Sequence, residues 1–144
     1  MRAVLRLAGA AAPVLVAGVV VAAPGVEVAA PSVRDGVYTV EQADRGEVLY
    51  DDRCAVCHGA IRQFVPGMAA LLGDHTFRNF WRGRSLGEMF GYIQETMPQD
   101  APGTLSPAQT AEIMAHILRG NRLPPGETAL PEDEEALNAI PFDP

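Results

Sequence analysis

The sequence predicts an all-α domain. Apolar residues recur at helical spacing in three stretches that open on capping signals, and no apolar/polar alternation is long enough for a sheet. The core is also thin. Over about 85 residues the three helices carry few large aliphatic side chains, which suggests that something large and apolar completes their core.

The first residues stand apart. Arg2 and Arg6 precede Leu7 to Ala23, an uncharged run of Ala, Val, Leu and Gly with one Pro. A basic start, an apolar stretch and small residues after it form the layout of a secretory signal. Val21-Ala22-Ala23 and Val28-Ala29-Ala30 offer two cleavage positions, near 23 or 30, so residues 1–30 read as a signal peptide and the start of a linker. Left uncleaved, residues 7–23 would act as an anchor at the short end for spanning a bilayer, and only then would the chain contact a membrane. Either way, the remainder is expected to face an extracytoplasmic space.

All eleven basic residues are Arg; without Arg2 and Arg6, nine face eighteen acids, a net charge near −9. A field of that sign excludes nucleic acid as a partner.

Residues 31–38 read as linker. Thr39-Val40-Glu41-Gln42 fits a capping box and opens a helix to about Asp52, with Val40, Ala43, Val48, Leu49 and Tyr50 on a partly apolar face. Gly46 weakens that helix, which marks the close crossing of another backbone. Residues 59–84 contain Gly59, Pro66, Gly67, Gly73 and Gly83 and predict a loop, with a short helical turn near Met68 to Leu72. Ser85-Leu86-Gly87-Glu88 caps a second helix. Its stripe of Leu86, Met89, Phe90, Ile93 and Met97 runs until Pro98 stops it. Ser106-Pro107-Ala108-Gln109 starts a third, with Ile113, Met114, Ile117 and Leu118 facing inward and Gly120 or Asn121 at its end. The domain therefore spans 39–121. Residues 122–144 form a Pro-rich, acidic tail whose Leu130, Leu137 and Ile140 dock a short helix back on the body, with Glu132 to Glu135 in solvent.

The chemistry concentrates in Cys54-Ala55-Val56-Cys57-His58, which holds both cysteines of the chain. A thioredoxin-like pair needs a βαβ setting that a helical chain lacks. A zinc site needs further soft ligands, and only His75 and His116 remain. A plain disulfide leaves His58 without a role. Covalent haem attachment uses every residue: two thiols add across the vinyl groups and the adjacent imidazole reaches the iron. Candidates for the sixth position are Met68, Met89, Met97, Met114, His75 and His116. Met89 and Met114 sit among apolar neighbours as core residues do. Met97 ends a helix directly before Pro98, where a short turn can hold its sulfur toward the iron.

With these residues in view, the chain resembles the class I cytochromes c. It is most similar to the small periplasmic cytochromes, or cytochrome subunits, that serve quinoprotein (pyrroloquinoline quinone) alcohol dehydrogenases. The resemblance rests on "RGEVLYDDRCAVCHG", "FWRGRSLGEMFGYIQETMPQDAPGTLS" and "AEIMAHILRGNRLPPGETALP", and covers about residues 39 to 131. It implies the cytochrome c fold around one haem c bound through Cys54 and Cys57, with His58 and Met97 on the iron. It implies that the Pro66 carbonyl accepts the second imidazole N–H, and that Trp81 lies near the haem propionates with Arg82 or Arg84 as charge partner. Gly46 and Tyr50 would meet the last helix near Ile113 and Ile117. Two departures stand out: Pro66 follows His58 by only eight residues, and His116 replaces an aromatic that relatives commonly carry.

A His/Met pair leaves no open site on the iron and favours its reduced form. No acid/base pair or nucleophile points to chemistry on a substrate. The expectation is an electron carrier and not an enzyme, accepting single electrons from a quinoprotein dehydrogenase and delivering them toward a terminal oxidase or another cytochrome. Two other readings stay open: a five-coordinate haem enzyme or gas sensor, and an electron-transfer subunit of another respiratory or sulfur-oxidising complex.

Overall fold

A computed structural model of the chain describes residues 31–63 and 72–144. The leader segment, Pro66, Met68 and most of the turn expected before Leu72 lie outside the described residues. Among the described residues, a short 3-10 helix (Val33–Asp35) precedes six α-helices: α1 (Val40–Arg53), α2 (Ala55–His58), α3 (His75–Trp81), α4 (Leu86–Thr96), α5 (Pro107–Gly120) and α6 (Glu134–Asn138). The described residues contain no strand, only an isolated bridge between Ser85 and Pro141. Among them, no helix is long and apolar enough to cross a membrane.

α1 and α5 form the principal packed pair. Gly46 makes their approach possible, because a Cβ there would collide with the Glu112 carbonyl and lie 3.1 Å from the His116 Cβ. The crossing partners are therefore Glu112 and His116, one residue away from the Ile113 and Ile117 that the resemblance implied. Those isoleucines are buried on the adjoining face of α5, together with Met114 and Leu118.

The expected apolar face of α1 is only half right. Ala43 and Tyr50 are fully buried, but Val40 and Val48 point outward at 48% and 70% exposure. The inward row is Gln42, Ala43, Gly46 and Tyr50, at spacings of three and four residues. Gln42 also leaves its expected role. The Thr39 hydroxyl caps the Gln42 N–H, yet the Gln42 amide does not return the bond. Instead it donates to the Leu130 carbonyl at 3.0 Å and accepts from the Leu130 N–H at 2.7 Å, both bonds buried.

The capping boxes at Ser85 and Ser106 are both formed as the sequence predicts. α3 corrects the reading of 59–84 as loop. Asp74 accepts the Phe77 N–H and starts one short helix, whose Phe77 and Trp81, four apart, are buried. Its opening residues His-Thr-Phe-Arg-Asn carry too little apolar pattern to announce it.

The tail straps the body. Tyr38 donates its hydroxyl to the Leu123 carbonyl at 2.7 Å, and the Gly126 N–H donates to the Tyr38 carbonyl at 2.7 Å. Leu130, Leu137, Ile140 and Phe142 are buried, and α6 packs on α4.

Candidate functional site

The CAVCH residues sit at a break in the helical path. The Cys54 N–H closes the last turn of α1 on the Tyr50 carbonyl at 2.8 Å, but its ψ of −37° with φ of −122° redirects the chain. Cys54 thus ends α1 and opens α2, a single turn in which the His58 N–H reaches the Cys54 carbonyl at 2.9 Å. Residues three apart on a helical turn share a side, so both thiols project together. Val56 stands off that row, 87% exposed. Gly59 then reverses the chain at φ +64°, and its carbonyl accepts the buried Tyr50 hydroxyl at 2.9 Å.

No disulfide joins the two cysteines; Cys54 is half-buried and Cys57 exposed. Burial pushes the Cys54 thiol up to about 11. That is the reverse of an activated redox or nucleophilic cysteine, which is held as thiolate by nearby positive charge. Nor do the residues that a zinc site would have to recruit come together. His75 is exposed at the start of α3, His116 lies on α5, and among the described residues no three His, Cys, Asp or Glu side chains gather around one point.

Leu49, Cys54, Ala55, Leu72 and Met97 are each only partly covered and pack against the core. Haem c, with Cys54 and Cys57 as its attachment points, matches this donor set.

Met97 is the C-cap of α4. Its N–H bonds the Ile93 carbonyl at 2.9 Å while its backbone turns extended, ending the stripe formed by Leu86, Met89, Phe90 and Ile93. One turn earlier, the Gln94 amide donates to the Leu105 carbonyl at 3.1 Å and to the Thr110 hydroxyl at 2.6 Å. These bonds tie the end of α4 to the following loop and to α5. Sequence reasoning missed Gln94, whose only signal was a polar side chain on an apolar stripe.

Trp81 is 5% exposed and anchors an aromatic cluster with Phe77, Phe80 and Tyr92. Of the two arginines considered beside it, Arg84 is the one engaged. Its guanidinium carbon lies 4.5 Å from the Phe80 ring centre and 5.4 Å from that of Trp81, a cation–π arrangement. His116 faces the Tyr50 ring at 5.1 Å between centres, with Nδ1 3.1 Å from an Arg119 nitrogen. Burial first, and the Arg119 charge second, lower its pKa. It serves as packing at the α1–α5 crossing.

The family model described as "Cytochrome C oxidase, cbb3-type, subunit III" matches residues 41–117, more than half of the chain. Searches of curated proteins and of solved structures returned no match. The matched stretch runs from the first turn of α1 through the CAVCH turn and the Met97 cap to the buried face of α5. The chain belongs to this cytochrome c family, whose members bind haem c covalently and transfer electrons.

Proposed function

We propose that the protein is a periplasmic single-electron carrier in which His58 and Met97 would hold the haem iron. When bound, haem c supplies a one-electron iron couple. The chain's own residues decide how that couple behaves. Cys54 and Cys57 fix the ring covalently, the His58 imidazole supplies a nitrogen, and the Met97 thioether supplies a soft sulfur that favours the reduced iron. With both positions filled, oxygen and substrates would have no ligand site. The observation that carries the reading is the Cys54–His58 turn taken with Met97, which is half-buried against the core at the end of α4.

Oxidised holoprotein should show the long-wavelength Met–iron charge-transfer band, and the reduced form should bind CO slowly. Met97→Ala should abolish the band and lower the reduction potential. A wild-type protein without the band that binds CO rapidly would be the five-coordinate haem enzyme or gas sensor instead.

The donor we propose is a quinoprotein dehydrogenase, supported by the resemblance of the Trp81 to Ser106 stretch, with a terminal oxidase downstream. A second reading, an electron-transfer subunit within an oxidase complex, is favoured by the family match itself. Stopped-flow electron exchange with a purified quinoprotein dehydrogenase, compared with a cbb3-type oxidase core lacking its cytochrome subunit, separates the two.

A further inference from the structure

The strap lies almost wholly beyond the family match, and its second half is applied to α4, the helix that ends at Met97. Three backbone bonds fasten the turn that enters α4. Gly83 N–H donates to the Phe142 carbonyl at 2.9 Å, Phe142 N–H to the Arg84 carbonyl at 2.7 Å, and Leu86 N–H to the Ile140 carbonyl at 2.8 Å. The hydroxyl of Ser85, the N-cap of α4, donates to Asn138 at 2.7 Å. Leu137 and Phe142 are fully buried behind these contacts.

Two glycines let α6 lie against α4. A Cβ on Gly87 would strike the Asn138 side chain and sit 2.7 Å from the Glu134 carbonyl oxygen. One on Gly91, a turn later, would lie 3.3 Å from the Glu134 carboxylate. Each glycine weakens a helix relative to alanine, and a helix of 11 residues has little stability of its own. α4 therefore owes its place to what packs on it.

We propose that α6 and the Ile140–Phe142 segment are positioning elements for the sixth ligand. By holding α4 from its N-terminal end they keep the Met97 thioether on the iron, while Gln94 secures the other end. This rests on Met97 being a ligand. Loosening the strap increases the fraction of molecules whose Met97 has swung away, without unfolding the α1–α5 pair.

The test uses holoprotein and two readouts: CO association with the reduced form, and the Met–iron band of the oxidised form. Gly87→Ala distinguishes the accounts by sign. Alanine strengthens α4 as a helix, so without the strap's help Met97 would be held more firmly and CO would bind more slowly. If the strap positions α4, the new methyl displaces α6, and CO association rises about tenfold at temperatures where helical circular dichroism is unchanged. Leu137→Ala, which leaves α4 intact, should raise it likewise. Leu130→Ala loosens the strap over α1 and serves as a control for general destabilisation. Unchanged CO rates in Gly87→Ala and Leu137→Ala, or increases that only track melting as in Leu130→Ala, would overturn the proposal. A band missing from wild type, or kept in Met97→Ala, would instead overturn the ligand assignment and the proposal with it.

Discussion

The hydroxyl of Tyr50 donates to the carbonyl of Gly59, 2.9 Å away, and so ties the end of α1 to the residue that follows His58. Burial, with a smaller contribution from Asp51, holds the Tyr50 phenol above the ordinary tyrosine range, so it remains a donor throughout neutral and mildly alkaline pH. Tyr50→Phe keeps the ring against His116 and removes only this bond. It should cost about 1 kcal/mol, read from the denaturant midpoint of the holoprotein at constant m-value. A loss of several kcal/mol would show that the bond is not the only thing removed.

Gly46 makes the sharpest steric prediction. Any side chain there meets the Glu112 backbone, which cannot rotate away as a side chain could. Gly46→Ala should destabilise by roughly 3 kcal/mol or more, despite the better helix propensity of alanine. Thermal melting of the two proteins would check it; an alanine variant as stable as wild type would mean that α1 and α5 do not cross at this point.

Gln42 holds the strap by two bonds to one peptide unit. Gln42→Leu fills similar volume but leaves the N–H and C=O of Leu130 buried without partners. A loss of about 2–4 kcal/mol is expected, with hydrogen exchange at the Leu130 amide accelerating more than exchange in α5. Uniform acceleration everywhere would argue against a local role.

His116 sets an acid limit. Its folded pKa lies below the ordinary value of 6.5, chiefly through burial and then through Arg119, although Glu47 and Asp51 pull the other way. As pH falls below 6.5, the unfolded chain takes up a proton that the folded chain resists, so stability should decline there. It should be fully present above that value. Denaturation measured from pH 7 downward should show this slope in wild type and a shallower one in His116→Phe. Equal slopes would assign the acid sensitivity to other groups.

The sequence was informative where one local signal decided the outcome. Ser85 and Ser106 each carry their own cap partner three residues on, and both boxes form. Gly46 had no local justification, and a neighbouring backbone supplied one. The five residues of CAVCH contain their own geometry, because one helical turn puts both thiols on one side. Long-range choices were hidden. Gln42 had a local partner at Thr39 and a distant one at Leu130, 88 residues away, and the buried peptide took it. Val40 and Val48 look apolar enough for a core face, but the glycine crossing dictated which row of α1 turned inward. α3 has seven residues, too few for periodicity to emerge from a polar opening.

The residues flanking the family match are in contact with each other. The Ser32 hydroxyl donates to the Asp143 carboxylate at 2.6 Å, and the Arg34 Nε donates to the Asp143 carbonyl at 2.7 Å. Gly36 and Gly126 meet backbone to backbone. Leading and trailing extensions therefore form one accessory, though they are separate in the sequence. Cutting back either one removes both the Tyr38 hydroxyl bond to Leu123 and the Gly126 N–H bond to Tyr38. The two ends of the chain should therefore loosen together when either is shortened.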